Sequence, residues 1–287
     1  VTRRRLVLTA DDLGVDARTD DAILALLAEG LVTATSLIAV APAAARAAGR
    51  LVRDLGLRAD GRRVEPRLHA TLTSPREGPA WRPLVTGAAS LVTADGVLPV
   101  DPVVVGARAE PVDVLAELAA QLSWMRAAGL DPAAMDSHSG TLYGLHGRSF
   151  LTQTLGFCAE HGLALRLPRD PVLYVGGELP ADLARAHRGA VELADSLGVR
   201  LPAAIVTNRR SAADLGGYDG LRDHYVRQLA ALPEGVSELF MHPAPEEVAA
   251  RLDGPDGVTR AWELRLLRDP VFTRALDREG LTLSAAW

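Results

Sequence analysis

The sequence predicts an α/β fold: a parallel (β/α) barrel of seven or eight strands, one domain over residues 1–287, with a long insertion at residues 74–110. Three observations predict it. Short apolar runs alternate with stretches of helical periodicity along most of the chain, the pattern of consecutive βα units. The length of 287 residues suits one barrel. No glycine-rich dinucleotide fingerprint is present, which places the open, doubly wound sheet second.

The opening strand, Leu6 to Gly14, runs LVLTADDLG, apolar residues leading straight into two adjacent acids and a glycine. Thr19 to Glu29 carries Ala22, Ile23, Leu26 and Leu27 at helical spacing, with acids in its first turn and Gly30 just past its end. Thr35 to Val40 is a strand, Ala43 to Leu55 a helix, and Arg58 to Pro66 a polar loop. The third strand, Leu68 to Leu72, puts His69 and Thr71 on one face by the period of two.

From Ser74 to Glu110 the alternation stops. Prolines at 75, 79, 83, 99 and 102 and glycines at 78, 87, 96 and 106 describe a long connection carrying Trp81, expected over one barrel end as a lid or a subunit contact. Alternation then resumes with helices at Val112–Ala128, Ser149–His161, Asp182–Leu197, Leu221–Leu232 and Thr259–Arg268. Between them lie strands at Ala133–Ser137, Leu163–Leu167, Ala203–Thr207 and Ser237–Met241; a short helix and the strand-like Leu281–Leu283 close the series.

Composition limits the function classes. A net charge of -5 argues against a nucleic-acid partner. All 31 basic residues are arginine, a coding bias from which no chemistry follows. Cys158 stands alone, forms no internal disulfide, and suits a reducing compartment. The run Leu6–Ala10 after Arg3, Arg4 and Arg5 is too short for a signal peptide, and no apolar run approaches the roughly 20 residues that span a bilayer. The expectation is a cytoplasmic protein without a membrane span.

Chemistry gathers at the carboxyl ends of the strands: Asp11 and Asp12 after the first, His69 in the third, Asp136 and His138 after the fourth, Arg166 in the fifth and His242 after the seventh. Barrel enzymes place their active sites at that end. Two adjacent carboxylates repel, and a divalent cation or a shared proton relieves the repulsion. A set of one Asp and two His suits a single divalent ion, Zn²⁺ or Mg²⁺, with positions left for water and substrate. Asp136 is placed to hold an imidazole N–H. In the loop after His138, Tyr143 and His146 are candidates for supporting the ligands or touching substrate, because the loop can fold back over the site. His161 suits a helix end, and His187 and His224 fall on amphipathic helices as solvated residues.

In register along the chain, LTADDLG at 8–14, GLVTATSLIA at 30–39, LHATLT at 68–73, MDSH at 135–138, LRLPR at 165–169 and FMHP at 240–243, followed by Arg260, Trp262, Glu263 and Leu264, resemble the YdjC family of carbohydrate deacetylases, also called the ChbG/HpnK family. The resemblance implies a distorted (β/α) barrel that hydrolyses the N-acetyl group of an amino sugar, free or in an oligosaccharide. It implies Asp12, His69 and His138 as metal ligands and Asp11 as base. In such a reaction His242 or protonated Asp11 would protonate the departing amine, and Arg166 would orient Asp11 or a substrate oxygen. The chain departs from the family at Gly140 and Leu142, where many members carry histidines, at Ala244 in place of a glycine, and at Asp20 or Asp21 in place of an asparagine. Rival expectations are another metal-dependent sugar enzyme, an isomerase or phosphoesterase, and a non-catalytic sugar-binding homologue. A homodimer is compatible with all of them.

Overall fold

The computed structural model describes residues 4–54, 64–252 and 256–287. The first apolar run forms β1 (Arg4–Leu13), buried at every residue from Leu6 onward. A strand covered on both faces reads as a continuous apolar run rather than an alternating one, which is why it stands out in the sequence. The others are β2 (Ala34–Leu37), β3 (Glu65–Ala70), β4 (Ala134–Ser137), β5 (Ala164–Leu165), β6 (Ile205–Val206), β7 (Gly235–Met241) and β8 (Thr282–Ser284). All pairings are parallel, in the order β5-β4-β3-β2-β1-β7-β6.

The distortion lies at the seam between β5 and β6. There the ladder reduces to Leu165 N–H on Arg200 O at 3.0 Å, Arg169 N–H on Pro202 O at 2.9 Å, Asp170 N–H on Ala203 O at 2.9 Å and one bridge, Asp170 with Ala204. β5 is cut short by a three-residue turn centred on Arg166, in which Leu167 N–H donates to Leu165 O at 2.8 Å. β8 pairs with Arg5–Val7 of β1. Because β7 lines one edge of β1 from Arg4 to Ala10, β8 shares the other edge with β2, which joins only from Thr9 upward.

Helices follow the strands as the periodicity predicts, within a few residues at their ends. That of Ala17–Ala28 starts at Asp16, whose carboxylate accepts from Arg18 N–H at 2.9 Å and Thr19 N–H at 3.2 Å. The polar stretch Arg58–Pro66 differs from expectation at its end, since Glu65 and Pro66 already belong to β3; residues 58–63 lie outside the described residues. Among the described residues no helix is long and apolar enough to cross a membrane.

The insertion is anchored at several points. Ser74 Oγ accepts Trp81 N–H at 2.8 Å and donates to Leu98 O at 2.7 Å, and the buried Glu117 carboxylate accepts Leu84 N–H and Val85 N–H at 3.1 and 2.9 Å. Its helix Pro102–Arg108 presses on the loop that follows His138. A Cβ on Gly106 would sit 2.2 Å from His146 O, so only glycine permits that approach.

Candidate active site

Consecutive residues of a regular strand point to opposite faces. Asp11 and Asp12 escape that rule through a bulge at the end of β1: Ala10 pairs with Thr35 of β2 but Leu13 with Leu37, three steps against two. Asp12 absorbs the extra residue at φ 70°, a left-handed conformation that Asp tolerates better than most residues. Behind the bulge the buried Asp20 accepts Gly14 N–H at 2.6 Å. Of the two acids expected in this place, Asp20 therefore supports the turn, while Asp21 is a surface partner of Arg46 and Arg50.

Asp12, His69 and His138 close a triangle. Asp12 Oδ1 lies 3.4 Å from His69 Nε2 and 3.6 Å from His138 Nδ1, and the two imidazole nitrogens are 3.2 Å apart. Asp12 Oδ2 is taken by Arg260 Nη1 at 2.6 Å, whereas the buried Oδ1 has no hydrogen-bond partner among the described residues. His69 Nδ1 is hydrogen-bonded to Asp136, its direct neighbour across the β3–β4 ladder, which turns Nε2 toward the triangle. Donors at these separations suit one ion with bonds of about 2.0–2.2 Å. The orphaned oxygen and the donor set thus fit a divalent metal, and the three residues form a group able to hold one. The imidazole that Asp136 was expected to hold is thus that of His69.

Charge in the triangle is strongly biased. Burial resists ionisation of Asp12, but the Arg260 guanidinium and the close His138 and His69 rings hold its carboxyl well below the usual range. Burial likewise opposes a charge on His69, yet the Asp136 carboxylate hydrogen-bonded to it, with the nearby Asp12 carboxylate, pushes it up to about 10.

Asp11 sits beside the triangle. Arg166 grips it with both ends of the guanidinium, Nη1 to Oδ2 at 2.6 Å and Nη2 to Oδ1 at 2.9 Å, and Ser36 Oγ donates to Oδ1 at 2.7 Å. Although burial raises it, the Arg166 charge brings the Asp11 carboxyl far below its ordinary value. Arg166 also lies 2.9 Å from Asp136 Oδ2. His242 Nε2 is 4.0 Å from Asp11 Oδ2; its ring is partly exposed and its backbone N–H donates to the buried Glu263 at 2.8 Å.

Seven residues expected at the strand ends therefore converge: Asp11, Asp12, His69, Asp136, His138, Arg166 and His242. His146 does not join them, because its Nε2 bonds Ser139 O at 2.8 Å and ties the kinked turn after His138 to itself. The Tyr143 hydroxyl is buried without a hydrogen-bond partner among the described residues, and burial with the Asp136 charge pushes it well above its usual value. His187 and His224 are half-buried rather than solvated, His187 bonding Pro168 O at 2.8 Å. Sequence reasoning missed Ser36, Arg67 and Glu238, and noticed Trp81 and Arg260 without their partners at the site. A glutamate inside SELFM and an arginine inside EPRLHA were the available signals, charges within buried strands.

Residues 5–278 match the model of the YdjC-like protein family. The chain is 29% identical to a carbohydrate deacetylase of Homo sapiens over 308 aligned residues, covering 99% of this chain and 90% of that protein. It is 29% identical to a carbohydrate deacetylase of Geobacillus stearothermophilus over 283 residues, covering 98% and 96%. The crystal structure of a candidate cellobiose-phosphate cleavage protein from Enterococcus faecalis V583 superposes with a TM-score of 0.75 over 98% of this chain and 97% of that one, at 20% identity, and so shares the fold. With a family match over nearly its whole length, this chain belongs to the YdjC-like protein family.

Proposed function

We propose that this protein is a metal-dependent carbohydrate deacetylase, which hydrolyses the N-acetyl group of an amino sugar or of an oligosaccharide containing one. The observation that carries the reading is the unpartnered Asp12 Oδ1, turned with His69 Nε2 and His138 Nδ1 into one triangle beside an ionised Asp11. The carbohydrate deacetylases among its relatives support the substrate class.

Asp12, His69 and His138 would hold one divalent ion, Zn²⁺ or Mg²⁺. When bound, that ion supplies an acidified water and a Lewis acid for the carbonyl oxygen. Asp11 accepts a proton as water adds to the acetamide carbon. Held so low by Arg166, Asp11 is a weak base that retains a proton only briefly. His242, 4.0 Å from Asp11 Oδ2 and open to solvent on one side, is placed to deliver a proton to the amine as the C–N bond breaks. Acetate and a free amino sugar result. The Trp81 ring, 6.1 Å from that of His138, carries the insertion over the site as a wall. A reducing, cytoplasmic setting agrees with Cys158, a buried free thiol that burial pushes up to about 12.

The test is free acetate released by metal-analysed protein from a panel of N-acetylated mono-, oligo- and lipid-linked amino sugars, with His138→Ala as control. Acetate that depends on bound metal and disappears in the control is the expected result. Metal-loaded protein that releases none, but isomerises a sugar or cleaves a phosphoester, would overturn it.

A further inference from the structure

The floor beneath Asp11 is built from charges that the mechanism has not used. Glu238, fully buried on β7, accepts Arg166 Nε at 3.1 Å through Oε2 and Arg166 Nη2 at 2.9 Å through Oε1. The same Oε1 accepts Thr9 Oγ1 at 2.6 Å and the buried Arg67. Arg67 in turn lies on the indole of Trp287, 3.6 Å from the ring centroid. The planar guanidinium of Arg166 is therefore gripped along one edge by Glu238 and at its tip by Asp11, while the Phe240 ring covers a face at 4.4 Å. With Asp136 Oδ2 also 2.9 Å from Nη2, three carboxylates leave the rigid fork a single orientation, and among the described residues it is Glu238 that bonds Nε.

We infer that Glu238 is a positioning residue for the proton transfer at Asp11: with Arg67 behind it, Glu238 sets the plane of Arg166, and that plane sets which lone pairs of the Asp11 carboxylate face the reacting water. The inference rests on the proposed role of Asp11. Two features support a positional role over simple filling of the barrel. Apolar residues fill a barrel interior at less desolvation cost than an ion pair, so a linked set of five buried charges at Arg67, Glu238, Arg166, Asp11 and Asp136 carries no stability advantage that would explain it. And among the described residues Glu238 reaches Asp11 through Arg166, using the Nε edge that Asp11 leaves free.

Glu238→Gln keeps the shape but offers Arg166 an amide donor where it needs an acceptor. The expected result is a fall in kcat per bound metal of roughly a hundredfold, the scale of a misplaced catalytic group, with KM within about threefold and metal content unchanged. An independent readout is the ¹⁵N NMR signal of the Arg166 side chain, identified by its loss in Arg166→Lys. In the parent, Nε–H and restrained Nη–H resonances of a doubly gripped guanidinium are expected; in Glu238→Gln the Nη signals should average. Should Glu238→Gln not fold, Glu238→Asp retains the charge and withdraws it by one methylene, and the same changes are expected at smaller amplitude. A folded Glu238 variant with kcat per metal within about threefold of the parent and unchanged Arg166 signals would overturn the inference. Asp11→Asn run in parallel separates the two readings: full activity there removes the base assignment itself, whereas loss there with an unaffected Glu238 variant removes only the positioning role. The NMR readout does not depend on the substrate being known.

Discussion

Asp11 and Asp12 are neighbours in one strand, yet their carboxylates serve one site, because Asp12 takes φ 70° at the bulge that ends β1. Asn tolerates that conformation as well as Asp does. Asp12→Asn should therefore leave the backbone intact while removing the charge shared between Arg260 and the two imidazoles. A weakening of metal affinity of at least about tenfold is expected, measured by metal titration against a competing chelator. Unchanged affinity would remove Asp12 from the ligand set.

Asp11→Asn separates catalysis from metal binding. Its carboxylate lies outside the Asp12, His69, His138 triangle, so the variant should retain metal while losing at least about a thousandfold in kcat, somewhat short of the loss of a whole catalytic unit. Turnover near the parent level would identify another base.

Metal uptake should release protons. His69, pushed up to about 10 in the metal-free protein, is protonated at neutral pH and must give up that proton before Nε2 can bind an ion. Apparent affinity is expected to rise about tenfold per pH unit between about pH 6 and 8, with about one proton released per ion in calorimetry across buffers of different ionisation enthalpy. A pH-independent affinity would contradict this.

Asp20 predicts a stability effect of opposite sign to the usual carboxylate. Burial, only partly offset by Gly14 N–H and Arg46, raises its carboxyl from 3.8 to about 6. The folded state therefore holds its proton more tightly than the unfolded chain, and the stabilisation present below about pH 3.8 is lost as pH rises through about 6. Asp20→Asn preserves an acceptor for Gly14 N–H and has no charge to bury. At pH 8 it should be more stable than the parent by up to about 3 kcal/mol, the gain vanishing near pH 4, as read from urea melts at both values. Equal melts at pH 8 would show that Arg46 already neutralises Asp20.

Much of this was legible because the βα repeat carries its own geometry. Once buried strands alternate with helices, every strand end faces the same way, and Asp11, Asp12, His69, Asp136, His138, Arg166 and His242 can be assigned to one face from their positions alone. Local rules sufficed there, since strand and helix periods act over a few residues. They failed where a side chain's role depends on a partner far along the chain. Glu238 meets Arg67 and Arg166 at separations of 171 and 72 residues, and Arg260 meets Asp12 at 248. In the sequence each is one charge in an apolar strand or a helix, and only closure of the barrel supplies the counter-charge that makes its burial tolerable. The same holds for the bulge that aligns the two aspartates, for the turn at Arg166 that cuts β5 short, and for His146, which its own loop turns onto Ser139 and away from the metal ligands. The chain by itself determined which residues reach that end of the barrel; packing decided which of them point at one another, because direction depends on register and closure that no local pattern encodes.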